Sequence, residues 1–380
     1  MRANGQGNKT DVVHFSTAHS VLDVRIFEKE CTSLARAGHR VTLIAKGDKD
    51  TTVNGVEILA LQAPAGHLAR GTAAVWRVYR EAIRHEGKIF HFHDPELLPV
   101  GLLLALRKKK VIYDVHENWP DIVLHKRWIP RGFRKALSRL MSAFERRTAA
   151  RLSGVVAAVE EIASCFENLD VPVVSVRNYP RLEEFPARRG TSAALSCLGV
   201  HFGGVSSERA IRETVQALGG LPTELKFRLL LGGVCDSPQL LQEVRQLPGW
   251  ARIDYAGLIS RPRMVEEMGK ACVAFVLYSL QPNHMDVRSN RFFEALAAGI
   301  PVLVPNFPKW KELIERTGCG VTVDPHNPES IARGLTYLLE HPEEAAKMGE
   351  RGRQLFEREF NWSGEEARLL HLYDTILRSH

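Results

Sequence analysis

Residues 289–304 read SNRFFEALAAGIPVLV, and this short segment carries the signals of a helix, a turn and a strand. Ser289 can cap a helix whose apolar residues recur at helical spacing. Gly299 suits the position just after a helix end, and Pro301 prevents the helix from continuing. The apolar run 302–304 is typical of a buried strand. The segment therefore predicts a short helix that feeds a strand inside a sheet.

Glu294 is the single carboxylate in this segment. A carboxylate that is buried without partners costs several kcal/mol. Two interpretations stay open at this point. Glu294 either lies at a helix edge, half in water, or points at the hydroxyl groups of a ligand.

The alternation of strand and helix extends over the whole chain. The predicted strands are residues 11–16, 39–45, 55–61, 88–93, 110–116, 154–159, 171–177, 226–233, 251–257, 273–278, 301–305 and 320–324. Apolar strands separated by helices predict parallel sheets that are covered on both faces. Since the pattern occurs in two halves, the expected fold class is α/β, with two Rossmann-like, doubly wound domains facing a central cleft.

The domain boundaries follow from a polar, proline-broken stretch between the halves. We expect a first domain at 1–180, a linker at 181–195, a second domain at 196–360, and a C-terminal helix at 361–380 that can pack back on the first domain.

Composition describes a soluble globular chain, with 380 residues, 44% hydrophobic residues and 25% charged residues. There is no apolar run long enough to span a membrane and no apolar centre of a signal peptide near the start. Six scattered cysteines without a CxxC pair argue for reduced thiols rather than a disulfide framework or a zinc site. We therefore expect a cytoplasmic protein.

The net charge of +7 is partly concentrated in residues 125–152. Apolar residues recur there at 133, 137, 140 and 144, which predicts an amphipathic helix. It either packs on the core with a solvated basic face, or lies on anionic lipid at the inner face of a membrane. The aromatic–basic interleaving that single-stranded nucleic acid needs is missing, so we expect no nucleic acid partner.

The residues that follow the predicted strands are rich in His, Asp, Arg, Gly and Asn. They are 16–23, 91–96, 114–120, 203–209, 232–236, 257–261 and 282–290. In doubly wound sheets ligands bind beyond the carboxyl ends of the strands. Polar residues gathered there indicate a polar, anionic ligand.

Four stretches carry a family resemblance. They are LARAGHRVTLIA (34–45), HFHDPELLPVGLLLA followed by KVIYDVHENWP (91–120), GGVSSERAIRETVQAL (203–218), and DVRSNRFFEALAAGIPVLV (286–304). The chain resembles the GT-B glycosyltransferases, and among them the retaining family 4. The last stretch is similar to the family's paired-acid motif, in which two acids are separated by seven residues. The resemblance covers nearly the whole chain, and its parts occur in the family's order.

The resemblance implies a nucleotide-sugar donor site in the second domain. The donor-binding candidates are Gly203, Gly204, Asp286, Arg288, Ser289, Asn290 and Glu294. Glu294 would accept hydrogen bonds from the ribose diol, and the N–H groups at the start of its helix, near Asn290, would bind the diphosphate.

The same resemblance implies catalytic roles for Arg209 and Arg291, which would neutralise the leaving diphosphate, and for His116, which would lie near the donor sugar. The alternative for His116 is a loop histidine bonded to backbone, and for the arginines an exposed position in a loop. The sequence departs from the family at Asp286, where Glu is usual, and at Gly204, where an arginine is usual. Either Arg288 or Arg212 would have to supply that charge, or the donor differs.

The acceptor-binding candidates lie in the first domain, on the loops after its strands. They are His19, Asp23, Arg25, His93, Asp94 and Glu117. Relatives usually carry a glycine pair in the first of these loops, whereas this chain reads STAHSVLDVR at 16–25.

Metal and dinucleotide sites find little support in the sequence. His91 and His93 share a strand face, but a third ligand at metal spacing is missing. The Asp-x-Asp at 48–50 reads as a solvated turn, and no GxGxxG follows the first strand. We therefore expect neither a metal nor a cofactor.

The family resemblance implies a retaining, metal-independent, hexosyltransferase-type enzyme. It would move a sugar from a UDP-, GDP- or other nucleotide-diphosphate donor to a hydroxyl acceptor. That acceptor would be an envelope or lipid-linked glycan, or a small metabolite. Two alternatives stay open: a nucleotide-sugar 2-epimerase or hydrolase of the same fold, and a non-catalytic nucleotide-sugar binder.

Overall fold

The computed structural model describes residues 10–61, 67–85, 87–126, 129–186, 197–281, 287 and 289–379. The chain divides into two compact units. Unit 1 comprises Met1–Asn178 and Ser363–His380, and unit 2 comprises Tyr179–Trp362. The predicted linker at 181–195 is described only as far as residue 186, and that part belongs to unit 2.

Unit 1 contains an eight-stranded sheet. Its strands are β1 (Asp11–Ser20), β2 (Arg40–Lys46), β3 (Thr51–Val53), β4 (Val56–Leu61), β5 (Ile89–Phe92), β6 (Lys110–Val115), β7 (Gly154–Ala157) and β8 (Val173–Ser175). Their order is β3-β4-β2-β1-β5-β6-β7-β8, and all neighbours are parallel except β3 and β4.

Unit 2 contains a six-stranded parallel sheet in the order β11-β10-β9-β12-β13-β14. Its strands are β9 (Leu198–Phe202), β10 (Arg228–Gly232), β11 (Ile253–Gly257), β12 (Val273–Phe275), β13 (Val302–Pro305) and β14 (Gly320–Val323). The predicted α/β class with two doubly wound, Rossmann-like domains is confirmed.

Helices cover both sheets. They are α1 (Thr32–Arg36), α2 (His67–Arg84), α3 (Leu98–Leu106), α4 (Trp119–His125), α5 (Arg131–Ala149), α6 (Glu160–Ala163), α7 (Ile211–Gly219), α8 (Pro238–Arg245), α9 (Arg261–Lys270), α10 (Asn290–Ala298), α11 (Pro308–Thr317), α12 (Pro328–Glu340), α13 (Pro342–Arg358) and α14 (Trp362–Arg378). Across the described part of the chain, none of these helices is both long enough and apolar enough to cross a bilayer.

The segment that opened the sequence analysis folds as its pattern predicted. It forms α10, then Gly299 in the left-handed conformation with φ +67°, then β13. A left-handed residue after a helix end favours glycine because a side chain there is strained. Ser289 occupies the N-cap position by its backbone, but its side chain makes no capping hydrogen bond.

The passage after β1 is not one continuous α-helix. A π-helical segment, Val24–Cys31, precedes the short α1. Asp23 caps this segment by accepting hydrogen bonds from the backbone N–H groups of Arg25 and Ile26, both at 2.9 Å. The segment buries three charged side chains in the interior of unit 1: Arg25, Lys29 and Glu30.

The apolar face of α5 is exposed, so the core-packed interpretation of this helix is wrong. Phe133 and Leu140 are 70% and 66% exposed, and Leu137 and Phe144 also face outward. The helix instead buries Glu145, Thr148 and Ala149. Glu145 tolerates burial because it accepts a 2.8 Å hydrogen bond from the hydroxyl of Tyr113.

The C-terminal helix α14 packs on unit 1. A Cβ on Gly154 of β7 would lie 2.9 Å from Ile376, which shows how closely strand and helix approach. Tyr373 is fully buried, and its hydroxyl contacts two histidines of the sheet. The strand order reverses between β1 and β5 in unit 1 and between β9 and β12 in unit 2, and ligands of doubly wound sheets bind at such points.

Candidate functional site

The two strand-order reversals each carry a cluster of polar side chains. We define the arginine site of unit 2 as His201, Gly203, Arg209, Tyr278 and Arg291. We define the rim site of unit 1 as His19, Asp94, Asp114 and His116. The two sites are described separately.

Arg291 is the central residue of the arginine site. It lies in the first turn of α10, is only 8% exposed, and stacks with its guanidinium 4.6 Å from the centroid of the Tyr278 ring. Its Nη1 lies 3.2 Å from His201 Nε2. Burial and the neighbouring Arg291 charge hold the pKa of His201 well below its usual value, so this imidazole is neutral and can accept.

Two donors of Arg291 have no partner. Its Nε and Nη2 are buried, and within the described residues neither makes a hydrogen bond. Arg209 lies close by, with its guanidinium 5.8 Å from the same Tyr278 ring. Burial and the charge of Arg291 lower the pKa of Arg209. Two adjacent cations with unmet donors form a site that an anion would satisfy.

Gly203 makes room for this pair of arginines. Its φ is +124°, and a Cβ at this position would lie 2.9 Å from Arg209 Nη1. At Gly204, where relatives usually carry arginine, Arg209 Nε would lie 3.9 Å from an added Cβ. Arg212 does not supply the missing charge, because its guanidinium binds Glu243 of α8 on the surface. The other candidate, Arg288, and the acid Asp286 lie outside the described residues.

Glu294 is buried and paired, so the interpretation that it lies half in water at a helix edge is wrong, while a role toward ligand hydroxyl groups stays a prediction. It is 8% exposed and forms an ion pair with Arg261 of α9. Arg261 also binds Glu184 at 2.9 Å. The remaining donor-site candidates lie at the start of the same helix: Asn290 is exposed, and Ser289 Oγ accepts a 2.7 Å hydrogen bond from Tyr278. Sequence reasoning missed Arg261 as a partner, although it ends the strand-following segment 257–261.

His19 and Asp94 form the first half of the rim site. Asp94 is buried and accepts hydrogen bonds from Ser16 Oγ at 2.7 Å and from the Thr17 N–H at 2.6 Å, while its second oxygen lies 3.1 Å from His19 Nδ1. Burial alone would raise the pKa of Asp94, but the hydrogen bonds of His19 and Ser16 outweigh it and lower that pKa. In turn, the bond to Asp94 raises the pKa of His19.

His116 and Asp114 form the second half. His116 Nε2 lies 2.8 Å from Asp114 Oδ2, so this histidine is bonded to a carboxylate rather than to backbone. Its ring centroid is 5.0 Å from that of His19. The side chains of His19 and His116 are 29% and 18% exposed. The rim thus presents two partly exposed imidazoles side by side, each anchored on a buried carboxylate.

Two of the acceptor-binding candidates are turned inward. Arg25 is buried, and it donates to both oxygens of Asp114 and to the carbonyl of Val176 at 2.6 Å. His93 is buried, and both its ring nitrogens are engaged. We therefore reassign Arg25 and His93 as residues that hold the side chains of the rim site in place. Asp23 is used as a helix cap, and Glu117 is exposed directly after His116.

The fold gathers four potential metal ligands that sequence spacing did not reveal. Atoms of Glu30, His91, His93 and Asp114 all lie within 4.8 Å of one another. The cation of Arg25 already occupies this cluster, 3.1 Å from Glu30 and 2.7 Å from Asp114. Burial and the charge of Asp114 also raise the pKa of Glu30 well above its usual value. A neutral acid beside a buried arginine fits a proton-sharing network better than a metal centre.

Comparison with known proteins agrees with this geometry. Residues 24–178 match the family model described as Glycosyltransferase Family 4, and residues 209–371 match the model described as Glycosyl transferase-like. A curated relative, Glucosyltransferase 3 of Streptococcus gordonii, is 35% identical over 81 residues. That match spans 20% of this chain and 24% of the relative.

Solved structures share the fold over nearly the whole chain. Sucrose-phosphate synthase from Thermosynechococcus elongatus has a TM-score of 0.72 at 16% identity, and the alignment covers 97% of this chain and 99% of that chain. HepE of Anabaena, in complex with UDP-glucose, has a TM-score of 0.69 at 14% identity and coverages of 96% and 100%. The chain therefore has the GT-B fold, and two glycosyltransferase family models match its first and second halves, in agreement with the resemblance that its motifs carry.

Proposed function

We propose that this protein transfers a sugar from a nucleotide-diphosphate-sugar donor to a hydroxyl acceptor, with retention at the anomeric carbon and without a metal ion. The observation that carries the proposal is the arginine site. Arg291 holds two unmet donors next to a second cation, Arg209, at the reversal point of the unit 2 sheet. Guanidinium groups bind phosphate oxygens with strong, charge-assisted hydrogen bonds.

The donor would bind through its diphosphate and its ribose. The phosphates would accept hydrogen bonds from Arg209, Arg291 and the free N–H groups at the start of α10. Glu294 would accept hydrogen bonds from the ribose diol through the carboxylate oxygen that is not paired with Arg261. Gly203 and Gly204 would allow the backbone to approach the donor. HepE was solved with UDP-glucose, which makes UDP-glucose the first donor to test.

The two arginines would act chiefly on the leaving group. As the bond to the anomeric carbon breaks, negative charge grows on the diphosphate, and preorganised donors stabilise that charge most strongly in the transition state. In retaining enzymes of this type the departing phosphate would take the proton of the acceptor on the same face of the sugar. No glycosidase-like carboxylate pair is then needed.

The acceptor hydroxyl would bind at the rim site. His19 and Asp94 lie at the reversal point of the unit 1 sheet, beside His116. Two partly exposed imidazoles, each with one ring nitrogen bonded to a carboxylate, suit recognition of hydroxyl groups through the other ring nitrogen. The acceptor class would be an envelope or lipid-linked glycan, or a small metabolite.

A donor screen tests the proposal directly. Thermal shift with UDP, GDP, ADP and TDP sugars should single out one base, and product NMR would give the anomeric configuration. An epimerised sugar released without acceptor would favour the 2-epimerase alternative, and binding without turnover on any acceptor would favour the non-catalytic binder.

Two substitutions separate the roles within the donor site. Glu294→Ala should weaken donor binding by about 10- to 100-fold, the loss expected for hydrogen bonds to a charged group. Arg261 keeps Glu184 as a partner in this variant, so unit 2 should still fold. Arg209→Ala should lower turnover by about 10²- to 10³-fold and binding by less. Arg212→Ala, on the surface, is the matched control. Full activity in the Glu294 and Arg209 variants would contradict the site assignment.

The exposed face of α5 would place the enzyme on the inner surface of a membrane, where a lipid-linked acceptor resides. Its four outward apolar residues share the helix with six arginines and lysines, and the one acid of the helix, Glu145, is buried. Apolar insertion and attraction to anionic lipid then act together.

Vesicle sedimentation tests this surface. Binding should be strong on vesicles containing phosphatidylglycerol and weak on pure phosphatidylcholine. Replacing Phe133 and Leu140 with Ser should abolish it. Leu258→Ser provides the control, because this leucine of unit 2 is 83% exposed but lies outside α5. If the α5 variant and Leu258→Ser bound the vesicles equally, α5 would not be the membrane-binding surface.

A further inference from the structure

A chain of hydrogen bonds runs through the interior of unit 1 and ends at the rim. We call it the histidine relay, and its members, in the order in which they are bonded, are His91, Tyr373, His14, His93, Asp114 and His116. All but His116 are fully or almost fully buried. Side-chain hydrogen bonds join consecutive members at 2.8–3.1 Å.

The direction of the relay is fixed by its carboxylate. Burial alone would raise the pKa of Asp114, but Arg25 and the neighbouring imidazoles outweigh it and hold that pKa well below its usual value. Asp114 is therefore ionised and can only accept. His93 Nδ1 and His116 Nε2, at 3.0 and 2.8 Å from the same oxygen, must both carry hydrogen.

Each following tautomer is then determined. Burial lowers the pKa of His93, so the ring is neutral and its Nε2 is an acceptor. His14 Nδ1, at 3.0 Å from that atom, must donate to it. Burial keeps His14 neutral as well, so its Nε2 accepts from the hydroxyl of Tyr373 at 3.1 Å.

The far end of the relay agrees with this direction. The Tyr373 oxygen lies 2.8 Å from His91 Nδ1 and, having given its hydrogen to His14, can only accept there. His91 must then carry hydrogen on Nδ1 and a lone pair on Nε2. That Nε2 is the ring nitrogen that is buried without a partner among the described residues. One chain of donors and acceptors thus accounts for every bond.

We propose that Tyr373, on the C-terminal helix, is a positioning residue for His116, acting through this directed relay. The relay holds Asp114 Oδ2 in place, and Asp114 fixes the His116 tautomer with hydrogen on Nε2. With hydrogen on Nε2, the Nδ1-deprotonated tautomer of His116 presents Nδ1 as a hydrogen-bond acceptor. A ligand hydroxyl that meets His116 must donate to it. This inference rests on the proposed function only for the identity of that hydroxyl.

Nitrogen NMR of the ring atoms tests the relay without any substrate. In protein labelled with ¹⁵N-histidine, and assigned by single His→Gln variants, the neutral rings of His14, His91 and His93 should carry hydrogen on Nδ1. His116 should carry it on Nε2. The opposite tautomer, or a doubly protonated ring, at His14 or His93 near neutral pH would overturn the proposal.

Tyr373→Phe tests the positioning role, with Tyr113→Phe as the matched control. Both substitutions remove one buried hydroxyl from unit 1, but the Tyr113 hydroxyl bonds only to Glu145 outside the relay. Tyr373→Phe should shift the ring signals of His14 and His91, and should lower kcat by roughly tenfold, the lower end of the loss seen when outer partners of a functional imidazole are removed. The donor KM should change little. Equal ring spectra and equal kcat in the two variants would refute the positioning role.

Analogues of the established donor and acceptor test the direction of the last hydrogen bond. Deoxy and deoxyfluoro sugars should be impaired equally at one hydroxyl position, because fluorine can accept a hydrogen bond but cannot donate one. If the fluoro analogue alone retained activity, His116 would be the donor and the proposed tautomer would be wrong. If the tautomers are as stated but no donor is turned over, the proposed function fails and the relay stands.

Discussion

Replacing Arg291 with Met should make the unliganded protein more stable while it removes donor binding. Two buried donors of Arg291 lack a hydrogen-bond partner among the described residues, and each unsatisfied donor costs about 1–3 kcal/mol. The substitution also relieves repulsion with Arg209. Against this, it loses the contact with Tyr278, worth about 1–2 kcal/mol, and one hydrogen bond to His201, worth about 1 kcal/mol.

Taken at the middle of each range, the balance is a gain of about 1–2 kcal/mol in the free energy of unfolding. For a unit of this size that corresponds to a rise in Tm of about 2–8 °C, since 1 kcal/mol shifts Tm by roughly 2–4 °C. Methionine is the suitable replacement because it fills a similar volume and adapts to irregular space.

Differential scanning fluorimetry with and without UDP reads out both effects. Wild-type protein should gain about 2.7 kcal/mol when UDP is present at a hundred times its Kd, and Arg291→Met should gain nothing. Arg212→Met is the control, because this arginine forms a surface pair with Glu243 that is worth about 0–1 kcal/mol. A lower Tm for Arg291→Met than for the wild type, or an undiminished rise in Tm with UDP, would refute the idea that the buried donors of Arg291 bind an anionic ligand.

Four further substitutions test the two sites and the buried cluster behind the rim site. Asp94→Asn should destabilise the fold most between about pH 4 and 6.5 and less at pH 8–9. The pKa of Asp94 is lowered in the folded protein, so its contribution to stability is lost as pH falls, and the pKa of His19 is raised, so its contribution is lost as pH rises. A pH-independent loss of stability in urea unfolding would contradict this. Gly203→Ala should lose about 1–3 kcal/mol to its positive φ and bind donor less well, which melting and titration would measure, and wild-type values would show that the position tolerates a side chain. Glu30→Gln should change the free energy of unfolding by less than about 1 kcal/mol, whereas Asp114→Asn should lower it by about 3–5 kcal/mol, because only Asp114 is ionised. Equal losses in the two variants would show that both carboxyl groups are charged.

Local periodicity predicted every described strand except β3 and β9, and a few of the helices, because each signal lies within a few neighbouring residues. The Gly299 turn and β13 are examples, since a left-handed residue and an apolar run are visible in the sequence alone. The position of polar residues after strands also predicted the sheet edge at which Arg209 lies, because all parallel strands end at one edge of their sheet. Arg291 lies one residue beyond the segment 282–290, and its role was implied by the family resemblance.

Pairings between distant residues could not be predicted in this way. Glu294 has an arginine partner on another helix, and no local pattern specifies which arginine that is. The apolar stripe of α5 showed that the helix is amphipathic, but periodicity does not tell whether the stripe meets the core or the solvent. Tyr373 gave no signal at all, because its hydrogen-bond partners lie 359 and 282 residues away along the chain.

The return of α14 to the first sheet has a consequence for synthesis on the ribosome. Unit 1 takes its strands from the beginning of the chain and one buried helix from beyond residue 362, so its interior stays incomplete while all of unit 2 is being translated. Until α14 has been synthesised, the imidazoles of His14 and His91 lack their hydrogen bonds to the Tyr373 hydroxyl. A nascent chain halted before α14 should therefore be sensitive to protease in its first half, although every strand of that half has already emerged.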